Sequence, residues 1–366
     1  MDPQPIVPPA PQPYPQSGNP YGAQPPMRVV VEQPNAWVRK LLWIALGVSI
    51  LANISLFGAY QSYFSPPESE VTEKYHSGTK EATSKIAVIT VSGTIMSGEG
   101  FVKHQIDQVR NDDHVKAIVL RVDSPGGTVT GSDYIYHHLK QLIKDKDIPM
   151  VVSMGSLCAS GGYYVSMAVG PGEKRIYAEP ATWTGSIGVI IPHYDVSELL
   201  KKWDVKDDSI SSHPLKQMGS PTRMLPEPMR EEERKILKEL VDDSFANFKQ
   251  IVLDSRPELA KDSALQETVF TGRIFTAGQA KKSGLVDELD YIEGAIKRAA
   301  ELAKLDAHSY RVVKYQSQAD FLSKALFGGE SEARAGNLSA MLELATPRAY
   351  YLFTGLPQLL STHRAE

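Results

Sequence analysis

Cysteine is almost missing from this chain: Cys158 is the only one in 366 residues. An intrachain disulfide is therefore excluded, and with no Cys-x-x-Cys pair so is a Cys-rich zinc site. Charge of one sign is not in excess either. Thirty-nine Lys and Arg against 43 Asp and Glu leave a net charge of -4, which offers a polyanion no basic surface, and nucleic acid is not an expected partner. No internal repeat is visible, so the folded part reads as one domain of about 220 residues.

What is present is unevenly distributed. Residues 1–35 hold 11 of the 25 prolines, together with Gln, Gly and Tyr, and are expected to form a disordered Pro-rich cytoplasmic tail. Leu41 to Tyr60 is a run of 20 residues without a charge. At helical rise that run spans about 30 Å, the thickness of a bilayer core. A transmembrane helix is expected over 39–62. Arg39 and Lys40 flank its start and no Lys or Arg follows before Lys74, which places the N-terminus in the cytoplasm and the remainder outside it. The competing reading is a cleaved signal peptide; the long leader and the lack of an Ala-x-Ala site before Pro66-Pro67 favour an uncleaved anchor.

Residues 65–84 are polar and charged and read as a linker. From Lys85 the pattern changes to short apolar runs at 86–91, 117–122, 150–154, 175–178 and 187–191. Nearly continuous runs of this length suit strands buried on both faces. Helical spacing lies between and after them, over 102–110, 130–144, 231–253 and 292–305. Strand–helix alternation points to βαβ crossovers and a mostly parallel sheet over 85–305. Residues 306–366 form a C-terminal extension whose structure the pattern leaves open. It includes the apolar Tyr350-Tyr351-Leu352-Phe353.

Two small-residue motifs stand out. Asp123-Ser124-Pro125-Gly126-Gly127 follows the second strand, and Cys158-Ala159-Ser160-Gly161-Gly162 follows the third. A serine presented at a helix start can act as a nucleophile, and backbone N–H groups of neighbouring glycines can hold an oxyanion. Gly161 and the Gly126-Gly127 pair are the candidate donors, at the strand ends where open α/β sheets bind ligands. The serine needs a base. Among nine histidines, His193 and His213 are candidates for a Ser-His arrangement. A lysine whose amine is desolvated is the alternative, because burial disfavours its charged form. Lys216, flanked by apolar residues, is the first candidate, with Lys201, Lys202 and Lys206 behind it.

The segments DSPGG (123–127), CASGGYY (158–164), TGSIGVI (184–190), KQMGSPTR (216–223) and GRIFTAGQAKKSGLVDE (272–288) occur in one order. Over about residues 84–305 the chain resembles the short, single-domain signal peptide peptidase A proteins of peptidase family S49. The resemblance implies a ClpP/crotonase-like α/β fold, a βαβ superhelix with a mostly parallel sheet, preceded by one transmembrane helix. It implies a serine peptidase with Ser160 as nucleophile, Lys216 as general base and Ser186 as the hydroxyl that orients the lysine. Gly127 and Gly161 would supply the oxyanion donors, with no metal and no cofactor. It further implies a homo-oligomer with shared active sites, in which Lys216 serves the neighbouring subunit. Peptide substrates are expected, namely cleaved signal peptides or other small unfolded polypeptides at the outer face of the bacterial cytoplasmic membrane. Two other readings stay open: a crotonase-like acyl-CoA enzyme, and a non-catalytic oligomeric membrane scaffold.

Overall fold

The computed structural model describes residues 36–64, 71–317 and 350–352. The expected tail at 1–35 lies outside them. The described residues fall into two units, one within 1–67 and the other within 68–366. In the first, α1 (Ala36–Phe64) contains a 22-residue stretch, Trp37–Gly58, with a mean hydropathy of 2.0, long and apolar enough to cross a membrane and nowhere buried.

The second unit opens with β1 (Val71–Gly78), β2 (Ser84–Ser92), α2 (Phe101–Asn111) and β3 (Val115–Ser124). It continues with β4 (Gly126–Thr128), α3 (Val129–Lys146), β5 (Met150–Ala159), α4 (Gly161–Ser166), β6 (Ile176–Ala178), β7 (Trp183–Gly185) and α5 (Ser197–Lys202). The long α6 (Glu227–Ser255) leads through α7 (Pro257–Ala260) and α8 (Ser263–Val269) to β8 (Ile274–Thr276) and α9 (Ala277–Lys282). β9 (Glu288–Leu289), α10 (Ile292–Leu302), β10 (Tyr310–Ser317) and β11 (Tyr350–Leu352) complete the described elements.

The main sheet runs β1-β10-β2-β3-β5-β6-β9, with β7 beside β5 and β8 beside β7. Every pairing from β10 through β9 is parallel, as is β5 with β7; β1–β10 and β7–β8 are antiparallel. This is the mostly parallel α/β sheet that the strand–helix alternation implies. Period-two alternation distributes each strand between two cores. Ile86, Val88, Ala117 and Val119 face α10, whereas Ala87, Ile89, Ile118 and Leu120 face the helices of the opposite side.

Local chemistry sets the helix ends next to the site. Thr128 caps α3, its hydroxyl accepting from the Gly131 N–H at 3.0 Å. Thr276 and Gln279 form a capping box on α9.

Two segments differ from their sequence reading, and a third was left open by it. Residues 71–78, expected within a linker, form β1 on the edge of the sheet. Residues 310–317 form β10, inserted between β1 and β2. The run 187–191 is not a strand: Gly185 and Ser186 take φ of 91° and 51°, which turns the chain out of the extended conformation as β7 ends. Beyond that turn Ile190 makes only an isolated bridge, to Tyr350.

Candidate active site

β5 delivers Ser160 to the start of α4 through a sharp turn. Ser160 is buried and takes φ 52° and ψ -113°, outside the ordinary regions for a residue with a side chain. Its N–H donates to the Gly185 carbonyl at 2.8 Å, and its carbonyl accepts from the Tyr164 N–H at 2.9 Å. These bonds hold a conformation that strand and helix geometry alone would relax. Cys158, just before it, is packed in the core, where burial pushes its thiol up to about 12 and keeps it protonated.

The second motif meets Ser160 from β3. The Ser124 hydroxyl donates to the Gly93 carbonyl at 2.6 Å and accepts from the Gly126 N–H at 3.0 Å. The Gly126 carbonyl accepts from the Ile95 N–H at 2.8 Å. Gly126 has φ 96°, and a Cβ on it would stand 2.6 Å from the Gly161 nitrogen. A Cβ on Gly161 would overlap the Ser132 hydroxyl and stand 3.1 Å from the Gly127 nitrogen. The two motifs are thus packed backbone against backbone, and both the Gly127 and the Gly161 nitrogens lie at this contact. The approach is possible only because neither glycine carries a side chain.

Ser186 follows β7 and is buried; its N–H donates to the Arg273 carbonyl at 2.7 Å. It adjoins Gly185, the residue that accepts from the Ser160 N–H. Neither serine hydroxyl has a hydrogen-bond partner among the described residues.

Lys216 lies in a single 3-10 turn, Pro214–Gln217, and is exposed. Its side chain makes no hydrogen bond or ion pair among the described residues, so this one chain does not join it to Ser160. The turn is fixed from below: Arg223 donates to the Pro214 carbonyl at 2.7 Å and pairs with the buried Glu233 of α6. His193, His213, Lys201, Lys202 and Lys206 are exposed as well. Among the described residues no three His, Cys, Asp or Glu side chains gather as metal ligands.

The sequence reading missed what lies over the glycines. β11 pairs antiparallel with β4, setting Tyr351 opposite Gly127 and Leu352 opposite Gly126. On its other side Tyr350 exchanges hydrogen bonds of 2.8 and 3.0 Å with Ile190. Because successive residues of a strand direct their N–H and C=O groups to opposite sides, those of Tyr351 face Gly127. A Cβ on Gly126 would overlap the Tyr351 carbonyl oxygen and meet the Gly161 nitrogen, so both atoms approach the bare face of Gly126. The Tyr351 side chain is fully buried against Tyr164 and Phe248. Apart from its aromatic content, nothing local in 350–352 signals this pairing.

Sequence and structure comparisons give the following. The profile of peptidase family S49 matches residues 143–306. A Synechocystis sp. protein that bears the name of a protease is 39% identical over 249 residues, covering 68% of this chain and 84% of its own length. An Enterococcus faecium protein named for signal peptide peptidase SppA is 30% identical over 326 residues, covering 80% of this chain and 89% of its own. Among solved structures, a ClpP1 variant from Listeria monocytogenes overlays 57% of this chain and 94% of its own with a TM-score of 0.34 and 16% identity.

Proposed function

The chain belongs to peptidase family S49, and from that premise we propose that it hydrolyses peptide bonds with a Ser160/Lys216 dyad. Ser160 attacks the substrate carbonyl while the neutral Lys216 amine takes its proton. The developing oxyanion is held by the N–H groups of Gly127 and Gly161, the protonated lysine returns its proton to the leaving amine, and water then releases the acyl group. Ser186 orients the lysine. The observation that carries this reading is the backbone contact between Gly126-Gly127 and Gly161 at the foot of the Ser160 turn.

A lysine acts as a base only where water is excluded from its amine. Lys216 is exposed in the single chain, which supports burial by a second copy and delivery of the amine to the neighbour's Ser160. The peptidase domain, 85–305 together with the flanking strands β1 and β10, then works as part of a homo-oligomer. The helix within 39–62 anchors it in the bacterial cytoplasmic membrane, N-terminus inside and catalytic part outside. The substrates are cleaved signal peptides or other small unfolded polypeptides, since an enclosed site excludes folded ones.

Turnover of unfolded peptides by the full chain, compared with Ser160→Ala and Lys216→Ala, tests this. Loss of about 1,000-fold or more in kcat/KM in both variants, with oligomer size unchanged, is the expected result. Loss in Ser160→Ala alone would reassign the base. The scaffold reading draws support from the exposed Lys216 and from β11 lying over the glycines. It predicts intact oligomers, no turnover of any peptide and no labelling of Ser160 by a serine-directed phosphonate.

A further inference from the structure

Glu233 is out of place by the ordinary rules of burial. The fully buried positions of α6 against the core begin at Phe248. Ahead of Phe248 the helix buries one residue, Glu233, which is 5% exposed. A glutamate is seldom buried that far without partners. Its partners come from the segment that carries Lys216.

The two carboxylate oxygens of Glu233 take different donors. Oε1 accepts from the Arg223 guanidinium, and Oε2 accepts from the Gly219 N–H at 3.3 Å. The same guanidinium donates through its other terminal nitrogen to the Pro214 carbonyl at 2.7 Å. Lys216 lies between Pro214 and Gly219, so one buried ion pair brackets it on both sides. Inside the bracket the Lys216 N–H donates to the His213 carbonyl at 2.9 Å, and the Met218 N–H to the Leu215 carbonyl at 3.1 Å. The backbone of the turn, and with it the Cα–Cβ direction of Lys216, is therefore fixed to α6.

A buried ion pair adds little net stability, because desolvation offsets most of the attraction. Its use lies in geometry, since a forked donor set facing two acceptor oxygens admits few arrangements. Resting on the Ser160/Lys216 reading above, we propose that Glu233 and Arg223 are the positioning residues of the general base. They hold the turn in the orientation from which the Lys216 amine is presented to a serine, and they act only through that lysine. Glutamine in place of Glu233 has a single acceptor oxygen, so either Arg223 or the Gly219 N–H is left facing an amide NH2. Lysine in place of Arg223 keeps the charge and loses the fork that spans Pro214 and Glu233.

Two measurements on the full chain test the assignment. The first is kcat and KM for an unfolded peptide as a function of pH, in wild type, Glu233→Gln and Arg223→Lys, and in each variant combined with Lys216→Ala. Both single variants are expected to lower kcat about 100-fold with KM nearly unchanged. A lysine presented loosely is less desolvated, so the acid limb of kcat/KM moves up by about one pH unit. Neither substitution lowers turnover further in the Lys216→Ala background. A lower kcat with an unmoved acid limb, or a further loss in that background, would make the pair merely structural and overturn the assignment. The second measurement is hydrogen exchange of the backbone amides, which needs no turnover. In both variants the amides of 216–220 are expected to exchange about tenfold faster, with β3 and β5 unchanged. Acceleration spread equally over β3 and β5 would also overturn the assignment. Local acceleration in a protein whose wild type turns over no peptide would keep the clamp on the turn and remove the peptidase reading. Wild-type turnover with kcat, acid limb and exchange unchanged in both variants would overturn the clamp and leave the peptidase reading standing.

Discussion

Ser160 and Ser186 are the two strained serines of the site, at φ 52° and 51°. A residue with a Cβ held in such a region costs about 1–3 kcal/mol. Glycine adopts it freely, so Ser160→Gly is expected to raise Tm relative to Ser160→Ala while both remove turnover; differential scanning calorimetry of the pair reads this directly. The converse holds at Gly126. A Cβ there meets the Tyr351 carbonyl and the Gly161 nitrogen at positive φ, so Gly126→Ala is expected to destabilise by more than about 2 kcal/mol in denaturant titration. The turns that carry Ser160 and the glycines were legible because tight turns admit few residue types. Lys216 was not legible in the same way. The role proposed for it depends on something excluding water from it, and the residues beside it in the sequence leave it exposed.

Among the elements, β1 is fastened to the sheet by an ion cluster. Lys85 of β2 donates to Glu73 of β1 at 2.6 Å and to Asp112 at the end of α2 at 2.8 Å. Burial by itself would raise the Asp112 carboxyl, but the bonds from Lys85 and from the His114 N–H outweigh it and hold the carboxyl below its ordinary range. A carboxyl depressed in the folded state contributes stability above its unfolded pKa and loses it as pH falls through the folded one. Asp112→Asn is therefore expected to cost about 1 kcal/mol or more at pH 7. The difference from wild type should close as pH drops below about 4, followed by chemical denaturation at each pH.

This edge escaped the sequence reading for a plain reason. Only Val71 of β1 is buried, so no alternation marks it as a strand. β10 shows the alternation weakly, in Val312, Val313 and Tyr315, and its place beside β2 comes from pairing far along the chain. The interior strands were readable because both of their faces are covered. The misread run at 187–191 has strand-like composition, but two positive φ values, invisible to composition, turn it away from the sheet.

At the level of the molecule, the segment bearing Lys216 shows large apolar side chains to solvent. Tyr194 is 75% exposed and Trp203 72%, with Val205 and Ile210 between Trp203 and the lysine. Side chains of this kind are commonly covered in an assembly, which agrees with a lysine delivered to a neighbour. Mixing Ser160→Ala with Lys216→Ala subunits separates the two geometries. In an equal mixture reassembled from monomers, a site built across subunits regains about a quarter of wild-type turnover, by random pairing around a ring. A dyad contained within one chain regains none. Fold class and the apolar helix could be read from one chain, because burial patterns are written along it. Whether a second copy completes the site is decided by surfaces that a single chain does not bring together.

The two hydrogen bonds between Tyr350 and Ile190 have a consequence for the order in which the chain is assembled. Their partners lie 160 positions apart, from residue 190 to residue 350, and a contact of such separation carries a loop-closure cost that local turns do not. β11 is therefore among the last elements to be gathered in, after the parallel strands and α6 have formed the surface that receives it.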